Sequence, residues 1–210
     1  MPQKDKAMSN PAPILGINRH RLLIDGEGVT TLVAFQGCPL RCKYCLNPQS
    51  LSDDADFPLY SCEQLYDRVK VDELYFLATR GGITFGGGEP CLRSDFISRF
   101  RELCGKDWRI TVETSLNIPH RHLETLLPVV DDYIVDIKDA DDTIYQNYTG
   151  KSNRQALENL QWLIAQGKAE QITVRIPLIP QYNTAENTAR TTDLLQAMGL
   201  SHFDVFTYRT

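Results

Sequence analysis

Thr31-Leu32-Val33-Ala34-Phe35-Gln36-Gly37-Cys38-Pro39-Leu40-Arg41-Cys42-Lys43-Tyr44-Cys45 runs from a short apolar stretch straight into three thiols spaced C-x3-C-x2-C. Residues 31–36 read as a strand, and residues 37–45 read as a wrapped loop able to aim three sulfurs at one centre. Working outward, similar apolar, β-branched runs recur at 82–85, 109–114, 133–138, 171–178 and 203–208. Helical patterns fill the gaps between them. Residues 61–80 open on a capping box, Ser61 with Gln64, and are expected to break near Lys70. Ser94 is placed to cap a helix carrying Phe96, Phe100 and Leu103 on one face, and a short helix is expected over 120–127. Ala156, Leu160 and Ile164 recur at helical spacing before Gly167, as do Leu194, Leu195 and Met198 before Gly199. Alternating strands and helices with crossover-length connectors predict an α/β fold with a parallel sheet, either open and doubly wound or a partial barrel. Residues 14–28 read as a hairpin-like lead-in, and 50–59 as an acidic, exposed connector.

Composition sets the outer limits. The chain has 210 residues, 42% of them hydrophobic and 23% charged, which suits one domain over 14–210 after a flexible N-terminus at 1–13. Its 22 basic and 27 acidic residues are interspersed, so no basic tract marks a nucleic-acid partner. The absence of a long apolar run speaks against a membrane partner, and a cytoplasmic location is expected. In that compartment the six cysteines are read as ligands or buried apolar groups rather than disulfides.

Cys38, Cys42 and Cys45 are the crowded set. Three thiolates on a 4Fe-4S cluster, which normally takes four, leave one iron open for chemistry. The alternative is a zinc knot, which needs a fourth ligand that none of the histidines 20, 120, 122 and 202 supplies within the loop.

With Gly86-Gly87-Gly88-Glu89-Pro90 after the next strand, this loop resembles the radical S-adenosylmethionine (SAM) superfamily. Leu23-Ile24-Asp25-Gly26-Glu27-Gly28 and the run from Phe35 to Pro48 are similar to activating enzymes of glycyl radical enzymes, such as pyruvate formate-lyase activase. The resemblance extends more weakly over about residues 14–209, and it implies a partial (β/α)6 TIM-type barrel of parallel strands with outer helices. It also implies a single 4Fe-4S cluster on Cys38, Cys42 and Cys45, with SAM laid across the strand ends. Contacts to SAM are implied for Tyr44, Gly87, Gly88, Glu89, Lys138 and Arg175, with Glu89 at the methionine ammonium and the glycines permitting close approach. Glu113, Thr114 and Asp136 match positions that hold a monovalent cation in some activases. The partners implied are a glycyl radical enzyme and a reductant such as flavodoxin.

Read without the resemblance, several of these residues keep a second meaning. Asp136 with Lys138 is equally an ordinary ion pair, and Arg175 equally a salt bridge to a neighbouring strand. Cys62 and Cys104 read as small buried hydrophobes, and Cys91, just after Glu89-Pro90 and nearer the site, carries no assignment. The chain carries Glu27 where activases have proline, and Leu46 where they have histidine. Cofactor cleavage is unaffected by those departures, but a small molecule or another peptide stays open as substrate beside a backbone glycine, and so does a non-enzymatic metal-binding module. Arg209 is the expected adenine contact.

Overall fold

The computed structural model describes residues 11–52 and 56–208. Residues 1–10, most of the expected N-terminal tail, lie outside them, as do 53–55 of the acidic connector and Arg209. Along the chain come β1 (Ala12–Leu22), β2 (Val29–Phe35), β3 (Leu59–Tyr60), α1 (Cys62–Val69), α2 (Glu73–Thr79), β4 (Gly82–Gly87), α3 (Ser94–Cys104) and β5 (Arg109–Thr114). After these come α4 (Arg121–Leu126), β6 (Asp132–Asp136), α5 (Asp142–Thr149), α6 (Arg154–Ala165), β7 (Ile172–Leu178), α7 (Ala185–Ala197) and β8 (His202–Thr207).

The strands form one sheet ordered β3-β1-β2-β4-β5-β6-β7-β8. From β2 to β8 every neighbour pairs in parallel, which gives the six expected strands within a residue or two of their predicted limits. The lead-in is a long strand, β1, antiparallel to β2 and starting at Ala12, inside the stretch read as tail.

Alternation along the strands sorts the residues. Val33, Phe35, Ile83, Phe85, Ile110, Val112, Tyr133, Val135, Val174 and Ile176 turn outward into one buried core beneath the helices. Phe35 stacks on Phe85 at 5.5 Å and meets Phe96 edge-on, and Phe85 meets Phe100 edge-on, so α3 is locked to the sheet by aromatic contacts. The intervening residues, Leu32, Ala34, Glu113, Asp136 and Arg175, face the other way and line a cavity. An outer face this apolar and an inner face this polar place the core outside the sheet and leave the inside for a ligand.

The helices other than α5, which the sequence reading does not single out, match their signals with one exception. The capping box at Ser61 and Gln64 forms, and the helix breaks at Lys70–Asp72 through a turn of 3-10 helix. Ser94, however, is the first helical residue rather than the cap, because its hydroxyl is bonded to His122 Nδ1 at 2.9 Å. Ser50, expected on an exposed connector, is buried, and its carbonyl accepts from the Gly37 N–H at 2.9 Å. Among the described residues, no helix is long and apolar enough to cross a membrane.

Candidate active site

The cysteine loop leaves the C-terminal end of β2 without regular structure, so its backbone needs partners from elsewhere. α5 supplies two of them: its last carbonyls, on Tyr148 and Thr149, accept from the Lys43 and Arg41 N–H groups at 3.1 and 2.8 Å. Arg41 Nη1 donates to the carbonyls of Cys38 and Leu40 at 2.7 and 3.0 Å, and Asn47 Nδ2 donates to Gly87 O at 3.2 Å. Glu89 N–H donates to Gly37 O at 2.7 Å, tying this loop to the glycine-rich one.

The glycines serve that junction. A Cβ on Gly88 would sit 2.2 Å from Gly37 O, and one on Gly87, whose φ is +96°, would sit 2.7 Å from Phe35 N. One on Gly86 would lie 2.9 Å from a Glu113 carboxylate oxygen. The sequence pattern assigns these glycines to close approach of a ligand. The groups that approach are the end of β2, the cysteine loop and Glu113, although Gly87 and Gly88 also line the cavity.

Cys38, Cys42 and Cys45 all open on a cavity of about 780 Å³, within the range of small-molecule sites. Cys62 and Cys91 are fully buried and Cys104 nearly so, away from it. Burial pushes the Cys38 thiol up to about 12, against a backbone hydrogen bond at Leu40. It also pushes Cys42 up, against the pull of the Lys138 ammonium.

The same cavity carries a charged set. Lys138 Nζ donates to Asp136 Oδ2 at 2.9 Å, and Arg175 Nη1 reaches past β6 to Glu113 Oε1 at 2.8 Å. Burial opposes the charge on Lys138, but Asp136 foremost, with Tyr208 and Cys42 behind it, outweighs that and holds the ammonium above its usual range. Burial raises the Glu113 carboxyl, with Arg175 pulling the other way. The two sequence readings of Arg175 and Lys138 thus coincide geometrically: both are salt-bridged, and both face the cavity.

Two residues expected at the cofactor are not among those lining the cavity. Glu89 does not line the cavity. Its carboxylate is buried and accepts from Thr114 Oγ1 at 2.7 Å, Cys91 N–H at 3.2 Å, and the Ser115 hydroxyl and N–H at 2.7 and 2.9 Å. Burial still pushes this carboxyl up, against the pull of its donors. Tyr44 turns away from the cavity, its hydroxyl 3.3 Å from Gln181 Oε1 and its ring set edge-on to Tyr148 and Tyr182.

Sequence reasoning passed over Arg21 and Asp204 and gave Asp25, Asn47 and Ser115 no individual role, though all line the cavity, as does Tyr208. Asp204 was within reach of pattern, because it pairs in register with Arg175 as Arg175 does with Asp136. Among the described residues, no three Cys, His, Asp or Glu side chains close tightly enough on one point to hold a single metal ion.

Residues 32–192, which span the cysteine loop, the charged wall and most of the barrel, match the Radical SAM superfamily. This chain belongs to the radical SAM superfamily. Among curated relatives it is 30% identical over 216 residues to pyruvate formate-lyase 2-activating enzyme of Escherichia coli K12, covering 88% of this chain and 73% of the relative. To the (2S)-3-sulfopropanediol dehydratase activating enzyme of Klebsiella oxytoca it is 28% identical over 236 residues, covering 83% and 74%. In fold it is similar to Streptococcus suis SuiB bound to precursor peptide SuiA, with a TM-score of 0.66 at 15% identity, covering 85% of this chain and 38% of that one. Like these radical SAM relatives, the chain is an enzyme working through radical chemistry.

Membership implies a 4Fe-4S cluster and SAM, and the residues present fit both. Three thiols share one cavity, and soft thiolate donors suit iron-sulfur clusters. Thiols raised by burial become ligands when a cationic centre compensates their charge. Beside them stand two carboxylates and two fixed cations, a match for the zwitterionic end of an amino acid.

Proposed function

We propose that this enzyme is an activating enzyme of a glycyl radical enzyme, taking a hydrogen atom from a backbone glycine of its partner. The observation that carries the reading is that Cys38, Cys42 and Cys45 open on one cavity whose lining also carries the Asp136, Lys138, Glu113 and Arg175 set. The similarity to activating enzymes over more than four fifths of the chain supports the choice of partner class.

In this reading Cys38, Cys42 and Cys45 hold the cluster, and a reductant of the flavodoxin kind feeds it. When bound, the cluster supplies an electron and SAM supplies the carbon–sulfur bond it breaks, giving methionine and the radical that abstracts hydrogen. Lys138 and Arg175 attract the cofactor carboxylate, while Glu113 and Asp136 attract its ammonium group. Each of these side chains already has a salt-bridge partner, so its orientation is fixed before any ligand arrives. Glu89 acts as a positioning residue, fastening the glycine-rich loop to the end of β5. A monovalent cation would have to share Glu113 and Asp136 with Arg175 and Lys138, and Thr114 with Glu89.

The test is anaerobic reconstitution with iron and sulfide, dithionite reduction, and assay for SAM-dependent 5′-deoxyadenosine, then electron paramagnetic resonance of a glycyl radical enzyme incubated with the reduced, reconstituted enzyme and SAM. Cys42→Ala is expected to abolish both signals. Deoxyadenosine without a glycyl radical on any such partner would leave a radical SAM enzyme of different substrate. No deoxyadenosine from an intact reduced cluster would overturn the reading.

A further inference from the structure

Ser50 sits in a turn of 3-10 helix, Pro48–Leu51, shortly after the third cysteine of the loop. Its main chain is engaged on both sides: the N–H donates to Asn47 O at 2.9 Å, and the carbonyl accepts from Gly37 N–H at 2.9 Å. Gly37 precedes Cys38 and accepts at its own carbonyl from Glu89 N–H at 2.7 Å, so Ser50 is clamped where the cysteine loop leaves β2. The Ser50 side chain is buried, and its hydroxyl has no hydrogen-bond partner among the described residues.

Among the described residues, Thr30, Ser50, Arg93, Tyr133, Tyr148 and Gln171 each carry a buried side-chain atom without a partner, and of these only Ser50 lines the active-site cavity. Cys38, Cys45, Asn47, Gly87 and Gly88 line the same cavity. Two other hydroxyls on its wall, those of Thr114 and Ser115, are already committed to Glu89 at 2.7 Å each. A buried hydroxyl without an acceptor is unfavourable, and alanine at position 50 would keep both main-chain bonds while avoiding that cost. The packing of the turn therefore does not call for a hydroxyl here, whereas an acceptor bound in the cavity does.

We propose that the Ser50 hydroxyl donates a hydrogen bond to a sulfur of the 4Fe-4S cluster held by Cys38, Cys42 and Cys45, and that this bond raises the cluster's reduction potential. The proposal rests on the cluster assignment and adds to it a residue that sets how readily the cluster takes its electron. Rotation about the Ser50 Cα–Cβ bond, which no hydrogen bond restrains, moves the hydroxyl between staggered positions while the main chain stays clamped. Reduction adds one negative charge to the cluster, and the proton stays on the serine oxygen. A donor to sulfur favours the more negative state, so the reduced form gains more from it than the oxidised form. A higher potential brings the cluster within reach of a weaker reductant.

The test is a redox titration of the reconstituted enzyme, without SAM or partner, followed by electron paramagnetic resonance of the reduced cluster. In Ser50→Ala the ratio of reduced to oxidised cluster at a fixed potential is expected to fall about tenfold, a midpoint about 59 mV lower for one electron. Thr30→Val removes a partnerless buried hydroxyl away from the cavity, and its ratio should stay within about twofold of the unmodified enzyme's. Iron content should be the same in all three proteins. In samples exchanged into D2O, electron–nuclear double resonance of the reduced cluster should lose the coupling of one exchangeable deuteron in Ser50→Ala. A Ser50→Ala ratio within about twofold of the unmodified enzyme's, a shift that Thr30→Val shares, an unchanged deuteron spectrum, or loss of iron from Ser50→Ala would overturn the proposal. An unmodified enzyme that shows no 4Fe-4S signal would instead overturn the cluster assignment itself, whereas absence of a glycyl radical on a partner enzyme bears on neither.

Discussion

The buried carboxylate of Glu89 is held by Ser115 through two bonds to the same oxygen, from the hydroxyl at 2.7 Å and from the main-chain N–H at 2.9 Å. Its other oxygen takes the Thr114 hydroxyl and the Cys91 N–H. Each oxygen therefore faces one backbone N–H that cannot rotate away.

Glu89→Gln is nearly isosteric, yet either orientation of its amide sets an NH2 group against a backbone donor. We expect a loss of about 2 kcal/mol in urea unfolding, with weaker SAM binding from a loosened glycine-rich loop. An unchanged unfolding midpoint would show that the clasp is dispensable.

Gly88→Ala tests the junction between the two motif loops. Its Cβ would lie 2.2 Å from Gly37 O, a backbone atom with nowhere to go, whereas a Cβ on Gly16 meets nothing within 4 Å. The expected cost is about 3 kcal/mol for Gly88→Ala, with reduced iron uptake on reconstitution, against a negligible effect for Gly16→Ala. Thermal unfolding and iron analysis of both variants decide it.

These contacts mark the edge of what the sequence discloses. Strand positions were legible because residues such as Ile110 and Val112 alternate with Thr111 and Glu113, and alternation is local information. The cysteine triplet was legible because its spacing is local too. The clasp of Glu89 on Ser115 was not, since it joins the segments that follow β4 and β5 across 26 residues and depends on the register of those strands. Nor was the anchoring of the cysteine loop by α5. The helix mixes Tyr145, Tyr148 and Thr149 with Asp142, Gln146 and Asn147, a weak apolar stripe, and it acts through carbonyls that every helix end carries. The setting of Tyr44 was hidden for a related reason: its ring partners Tyr148 and Tyr182 lie far from it in sequence.

Asp72 carries a pH dependence. It is buried, yet Arg19 Nε at 2.8 Å, Thr31 Oγ1 at 3.0 Å and His20 Nε2 at 3.0 Å surround it. Burial raises its pKa, but Arg19 and Thr31 foremost outweigh that and hold the carboxyl below its ordinary range. A depressed folded-state value means stability present above the ordinary aspartate pKa of about 3.9 and lost as pH falls through the folded one. Asp72→Asn should therefore cost about 1–2 kcal/mol at pH 7, discounted for the half-exposed Arg19, and the gap should close towards pH 3. Urea titrations across that range measure it, and a gap independent of pH would refute the assignment.

Thiol accessibility gives a direct assay of the site before any cofactor is added. Cys38, Cys42 and Cys45 are partly exposed, while Cys62, Cys91 and Cys104 are at 0%, 0% and 8%. Iodoacetamide at pH 7.5 under argon should thus label the loop cysteines alone, and urea should release the other three. Within the loop, Cys38 should react more slowly than an unperturbed thiol and speed up as pH climbs towards about 12. Reconstitution with iron and sulfide should then protect all three loop cysteines together, because a cluster that takes one of them as ligand needs the others. Peptide mass spectrometry resolves each site. Protection of only one or two would point to a different donor set.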